Sequence, residues 1–288
     1  MRRLQISHVT EYHFANYVTL QPHRLLLRPR ENHTLRIESA SLDIQPEHSV
    51  RWQRDALDNS VASVTFLVAA NSLYIDSTVS VQRFDDTPLD FLVEDYAVIF
   101  PFEYARQELP DLAPFRQCVY LQDQAQVNAW LASLDCLGRP IETFVLLDRM
   151  NRDIASRFTY QAREAPGVQS PALTLASRTG SCRDFAALFI EACRSLGLAS
   201  RFVSGYLDIS ATSGGNASTH AWAEVYLPGA GWKGFDPTSG ELTDNRHIPV
   251  AVARHPEAVP PVAGSFLGPA GYRPVPQVRV RVSALDGV

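Results

Sequence analysis

The sequence predicts an α+β protein: an N-terminal antiparallel β-sandwich, then a cysteine-bearing helix packed on an antiparallel sheet that carries a histidine and an aspartate. Three observations predict this. Residues 1 to 85 largely alternate apolar and polar side chains with a period of two. A bounded amphipathic pattern starts at Gly180-Ser181-Cys182-Arg183-Asp184. Alternation then resumes around His220 and again before Asp236.

The N-terminal alternation runs through Leu4, Ile6 and His8, then Leu35 and Ile37, Leu42 and Ile44, then Val64, Phe66 and Val68, Leu73 and Ile75, and Val79 and Val81. It is broken at Asp58-Asn59-Ser60 and Ala70-Asn71-Ser72. Strands with one wet face need a second layer to cover the dry one, hence a sandwich. His8, His13, His23, His33 and His48 are dispersed and read as surface or hydrogen-bonded structural residues. Pro88, Pro101, Pro110 and Pro114 mark a connection, so the first domain with its linker is set at residues 1–115.

A core domain is set at 116–245. It opens with two helical patterns, roughly 122–134 and 141–154, and a short strand within 157–160. A proline-rich tail fills 246–288 and ends in a strand over 277–285, with Val278, Val280 and Val282 on one face. A lone strand has no stability of its own, so this one is expected to return to an edge of the N-terminal sheet.

Bulk properties exclude several classes. A net charge of −5 with scattered arginines argues against a nucleic-acid partner. No apolar stretch approaches the roughly 20 residues of a membrane helix. Arg2 and Arg3 are followed by no apolar run, so no secretory signal is read and the default address is the cytoplasm. The four cysteines, Cys118, Cys136, Cys182 and Cys193, form no Cys-x-x-Cys pair, which disfavours a disulfide framework or a zinc site. Cys118 and Cys136 read as small buried hydrophobes.

Cys182 is different because of where it sits. Phe185, Leu188, Phe189, Ala192, Cys193 and Leu196 recur at helical spacing, and Gly197 follows as a C′ glycine. Ser181 and Asp184 make a Ser-x-x-Asp start, a short relative of the capping box. Cys182 therefore falls in the first turn, where the helix dipole and unpaired N–H groups favour a thiolate and can stabilise a nearby oxyanion. Gly180 is read as allowing a tight turn before the helix. Cys193, nearly on the same face but about 16 Å further along at roughly 1.5 Å per residue, lacks that setting and reads as structural.

The partner elements follow. Residues 200–207 make a strand candidate, and a loop runs through 213–218. In the next strand His220, Trp222, Glu224 and Tyr226 alternate with Ala221, Ala223, Val225 and Leu227. Pairing Leu227 with Trp232 would put Asp236 opposite Ala223, on the wrong face. Pairing Tyr226 with Trp232 puts Asp236 opposite Trp222, one diagonal step from His220, and this register is expected. Asp236 can then fix one imidazole nitrogen while the other takes the thiol proton. Glu224, on the His220 face, is the competing orienter. A thiol, an imidazole and a carboxylate so arranged point to acyl transfer or hydrolysis.

Four segments in this order resemble the transglutaminase-like superfamily, in particular bacterial members with an N-terminal β domain. They are Gly180-Ser181-Cys182-Arg183-Asp184-Phe185-Ala186, Arg201-Phe202-Val203-Ser204-Gly205-Tyr206, His220-Ala221-Trp222-Ala223-Glu224-Val225-Tyr226 and Gly231-Trp232-Lys233-Gly234-Phe235-Asp236-Pro237-Thr238. The resemblance implies a papain-like core with Cys182 as nucleophile, His220 as general base and acid, and Asp236 as orienter. It implies a cysteine protease, amidase or acyltransferase that acts on a peptide or protein amide or isopeptide through a thioester. Tyr160, Ser181 and Trp222 are the residues assigned to the oxyanion and substrate cleft. No cofactor is implied, and no calcium-loop signature of the animal enzymes is evident, so no metal is expected. The family also contains cross-linkers and inactive members. A non-enzymatic peptide-binding scaffold stays open, motivated by a β domain without a role in the chemistry. A coenzyme-thioester acyltransferase, like the arylamine acetyltransferases, would need a phosphate cradle, and none is visible.

Overall fold

The computed structural model describes residues 2–84, 89–134, 138–163, 166–209, 218–268 and 274–285. Strands β1 (Arg2–Leu20), β2 (His23–Leu25), β3 (Leu35–Gln45), β4 (His48–Arg54), β5 (Ser60–Phe66) and β6 (Ala70–Arg83) form two antiparallel sheets. One contains β1-β6-β3 and the other β2-β5-β4. Phe14, Leu25, Ile44, Val64, Leu73 and Ile75 meet in an apolar core drawn from both. The expected sandwich is present.

β1 is longer than one sandwich needs. Its first half carries Leu4 and Ile6 into a second, larger core, where they join Phe202, Tyr206 and Ile248. His8, on the same half, is buried: its Nδ1 lies 3.1 Å from the Tyr206 hydroxyl and its Nε2 3.1 Å from the Thr10 hydroxyl. Burial pushes this imidazole down to about 4, so it stays neutral. Asn59, expected only in a turn, is also buried. It donates to the Val252 carbonyl at 2.9 Å and accepts the Val252 amide at 2.8 Å, so a side chain completes an edge-strand ladder.

The chain continues through α1 (Leu109–Arg116), α2 (Gln124–Ser133), α3 (Thr143–Arg157), α4 (Pro171–Ser177) and α5 (Cys182–Ser195). Next come β7 (Ser200–Leu207), β8 (Ser218–Leu227), β9 (Gly231–Asp236), β10 (Glu241–Leu242) and β11 (His247–Ala253), in one antiparallel sheet of order β10-β9-β8-β7-β11. The segment after Asp236 is thus less irregular than its prolines imply, because β11 is an edge strand beside β7. The tail then adds β12 (Val262–Ala263) to β2, β13 (Phe266–Leu267) to the end of β1, and β14 (Gln277–Ala284) to the start of β1. The last strand returns to the N-terminal sheet, with Val282 fully buried. The loop expected over 213–218 falls almost wholly outside the described residues, and Cys136 lies outside them entirely.

α5 is the central helix. Its stripe of Phe185, Leu188, Phe189 and Ala192 packs as expected, but Asp184 through Arg194 are buried on every side. The charged face is covered because it is hydrogen-bonded. Glu191 pairs with Arg194 at 2.9 Å and accepts the Val119 and Tyr120 amides at 2.8 and 3.0 Å. Arg194 donates to the carbonyls of Phe115, Ser200 and Arg254. Such satisfaction is what makes a buried ion pair tolerable. At the other end Gly197 adopts φ +80°, with Gly197 N–H on the Arg194 carbonyl and Leu198 N–H on the Cys193 carbonyl, a Schellman motif. Cys193 is fully buried and its thiol pKa is pushed well above the ordinary range. Cys118 is only half-buried, its sulfur accepting from Gln124 Nε2 at 3.1 Å. Among the described residues no helix is long and apolar enough to cross a membrane.

Gly205 in β7 sits in a close backbone contact within this sheet. A Cβ there would sit 2.3 Å from the Ile248 carbonyl and 2.6 Å from the Trp222 ring. Gly205→Ala is expected to destabilise the fold by about 1–3 kcal/mol, read as a lower denaturation midpoint with an unchanged slope.

Candidate active site

The hairpin β8–β9 adopts the expected register: Tyr226 pairs with Trp232 and Ala223 with Phe235. This brings Asp236, the last residue of β9, diagonally beside His220. His220 Nε2 and Asp236 Oδ2 are 2.8 Å apart. The Cys182 thiol lies near enough to the same imidazole to raise its pKa, and the two side chains line one cleft. With Nε2 facing the carboxylate, Nδ1 is the nitrogen left for sulfur. Cys182, His220 and Asp236 are thus gathered at one site. Glu224 takes no part, because its Oε2 accepts Arg201 Nε at 2.7 Å.

The electrostatics follow from burial and pairing. Burial alone would lower the His220 pKa, but Asp236 and Cys182 outweigh it and push it up to about 10. Burial would raise the Asp236 carboxyl, yet His220 and His247 hold it well below the usual carboxylate range. Asp236 Oδ1 accepts the Thr238 amide at 2.9 Å, so both carboxylate oxygens are engaged.

The α5 N-terminus is held by Asp184, whose side chain is fully buried. Its Oδ2 accepts the Ser181 amide and hydroxyl at 2.8 and 2.7 Å. Its Oδ1 accepts the Gln169 amide at 2.7 Å and Arg163 Nη1 at 2.6 Å. The expected capping box is present: the Asp184 carboxylate reaches back to the N-cap amide and the Ser181 side chain meets the Asp184 amide, while the serine hydroxyl also donates to that carboxylate. Gly180 has no positive φ among the described residues; it is required because a Cβ would lie 3.0 Å from both Asp184 Cβ and the Phe185 ring.

A cleft of about 1180 Å³ opens over Cys182 and His220. Tyr160 and Ser181 line it, as expected. Tyr160 is half exposed, and its phenol pKa is pushed up by partial burial and by the negative charge Cys182 would carry. The Ser181 amide and hydroxyl both go to Asp184, so neither is free for a substrate oxyanion. The Cys182 amide, first in the helix, has no intrahelical acceptor. Trp222 does not line the cleft. Its ring is buried over Gly205 and edge-on to His247 at 5.3 Å, and it borders a smaller cavity of about 150 Å³.

Two features do not follow from local sequence patterns. The cleft walls come partly from the sandwich, through Tyr12, Phe14 and His23, and partly from the tail, through Pro256, Val259 and Phe266. His247 also reaches Asp236 Oδ2, at 3.2 Å, from β11. The alternation of Ile248, Val250 and Val252 was the available sign that this segment is a strand. The facing ring nitrogens and carboxylate oxygen of His220, Asp236 and His247 lie within 4.8 Å of one another, and hydrogen bonding to the shared carboxylate accounts for their proximity.

Comparison with known proteins agrees with this geometry. Residues 4–82 match the bacterial transglutaminase-like N-terminal region, and residues 143–237 match the transglutaminase-like superfamily core. An uncharacterized protein of Mycobacterium tuberculosis, Rv2569c, is 32% identical over 282 residues, covering 91% of this chain and 87% of its own. A second mycobacterial protein, ML0607 of Mycobacterium leprae, is 35% identical over 107 residues, covering 35% of this chain and 38% of its own. The crystal structure of a candidate cysteine protease from Cytophaga hutchinsonii superposes with a TM-score of 0.72 at 18% identity, covering 100% of this chain and 92% of that one, and so shares the fold. The two family matches, the near full-length relative and the cysteine-bearing helix set on its sheet give one conclusion: this chain belongs to the transglutaminase-like superfamily.

Proposed function

We propose that the protein is a cysteine-dependent amide or isopeptide hydrolase, with acyl transfer to an amine as the variant outcome. The observation that carries this reading is the His220–Asp236 pair set beside the Cys182 thiol at the edge of an open cleft. A thiol beside an imidazole whose other nitrogen meets a buried carboxylate is arranged for nucleophilic attack.

In the reading favoured here, the Cys182 sulfur attacks the substrate carbonyl carbon, with its proton on His220 Nδ1. The oxyanion forms beside the Cys182 amide at the helix N-terminus. As the C–N bond breaks, His220 returns the proton to the departing amine and leaves a thioester on Cys182. Water, deprotonated by His220, then adds to the thioester carbon; the C–S bond breaks, Cys182 leaves as a thiolate beside protonated His220 and the acid is released, while an amine adding in place of water gives transfer. Water needs no binding site of its own, which favours hydrolysis. Asp236 stays ionised throughout and orients the ring. No cofactor enters these steps. The cleft exceeds the roughly 300–1,000 Å³ of a small-ligand pocket, which suits a segment of a peptide or protein.

Incubation with peptide and amide libraries followed by intact mass spectrometry should trap a thioester or covalent adduct on Cys182. Cys182→Ala should abolish the adduct and lower turnover at least about 10³-fold. Full turnover in that variant would refute the assignment. The pH profile offers a second check. Because His220 is raised to about 10, its protonated form persists into mildly alkaline solution, and the alkaline limb of activity should lie above the ordinary histidine range. Asp236→Asn removes the charge that sustains that proton, so the limb should move down towards neutrality and kcat should drop by roughly 10²–10⁴. An unmoved limb would mean that Asp236 does not act through His220.

A further inference from the structure

Asp236 serves two imidazoles. Its Oδ2 lies 2.8 Å from His220 Nε2 and 3.2 Å from His247 Nε2, while Oδ1 takes the Thr238 amide at 2.9 Å. His247 comes from β11, separated from His220 on β8 by the intervening strand β7. It is 3% exposed and wedged against the Trp222 ring. Its Nδ1 lies 3.1 Å from both the amide nitrogen and the Oδ1 of Asp244.

These contacts determine where the proton sits. A neutral ring with hydrogen on Nδ1 would turn a bare Nε2 lone pair towards the Asp236 carboxylate, which is repulsive. The two other states, a neutral ring accepting the Asp244 amide and a doubly protonated ring donating to the Asp244 carboxylate, both carry hydrogen on Nε2. Either way His247 donates to Asp236. A carboxylate turns easily about its terminal torsion, a broad and roughly two-fold rotor. The Thr238 amide anchors one oxygen, Oδ1. A donor on Oδ2 fixed from another strand completes the definition of the carboxylate plane independently of His220.

We propose that His247 is a positioning residue: its Nε2–H holds the Asp236 carboxylate in the plane that directs His220 towards the Cys182 thiol. The inference rests on the functional reading above, and the experiment separates their failures because it needs no substrate. The probe is iodoacetamide at pH 7, with alkylation of Cys182 and Cys118 followed by mass spectrometry in the same folded protein. His220 is followed in parallel by NMR titration of its ring signals.

In the native protein Cys182 should outpace Cys118 by at least about tenfold. His247→Leu should lose most of that advantage, roughly tenfold for one lost charge-assisted bond, and the His220 titration should fall towards the ordinary histidine range. His247→Gln, whose terminal amide can reach Asp236, should keep both within about threefold. His247→Asn, polar but too short, should behave as the leucine variant does, which covers the case in which leucine fails to fold. Native reactivity and titration in a folded Leu or Asn variant would overturn the proposal, as would Gln failing alongside them. A rise in the His220 titration would also overturn it, since that means competition for the carboxylate rather than orientation. If native Cys182 reacts no faster than Cys118, the functional reading itself falls.

Discussion

One buried carboxylate holds the end of the helix that carries Cys182. Asp184 has no exposure, and a buried unpaired charge would cost several kcal/mol. Here it accepts from the Ser181 amide, the Ser181 hydroxyl, the Gln169 amide and the Arg163 guanidinium. Burial would raise its carboxyl pKa, but these donors outweigh it and hold the group below its ordinary range. The bonds also join the residues before the helix and a segment 15 to 21 residues upstream to one point. The position of the sulfur relative to the β8–β9 hairpin therefore depends on Asp184, although Asp184 contacts neither His220 nor Asp236 in the hydrogen-bond network.

The sheet supplies the other half of the site by register. Tyr226 opposite Trp232 is the alignment that sets Asp236 on the His220 face; a one-residue slip would send the carboxylate to the opposite side. β7 joins β8 to β11, so the same ladder that fixes His220 also carries His247 to the carboxylate. Close packing of Gly205 against Trp222 and Ile248 leaves little room for these strands to shift. Local hairpin geometry and the wider sheet thus specify the same arrangement.

Much of this was legible in the sequence because it rests on local periodicity and capping chemistry. The sandwich strands, the bounds of α5, the C′ role of Gly197 and the hairpin register all follow from patterns a few residues long. The final strand could be assigned to the N-terminal sheet because an isolated strand must pair somewhere. What stayed hidden depends on long-range satisfaction. Glu191 and Arg194 lie off the apolar stripe, and backbone groups from residues 115–120, 200 and 254 cover them. Asn59 reads as a turn residue and proves to pair with a strand 193 residues away. Trp222 shares the His220 face in the alternation, but its ring fills the space over a glycine on the neighbouring strand. His247 sat among prolines, where irregular chain was the natural reading, and its partner was visible only once β11 joined the sheet.

The cleft walls draw on both ends of the chain. Tyr12 and Phe14 lie near its start, Cys182 and His220 in its second half, and Val259 and Phe266 close to its end. Only a fragment that spans nearly the whole chain holds all of these surfaces. Excision along the boundaries of the 143–237 core would keep the thiol, imidazole and carboxylate yet strip away two sides of the groove and bare the apolar faces that Leu4, Ile6 and Val282 now cover. In recombination between genes this groove keeps all its sides only where the sandwich and the tail travel with the core.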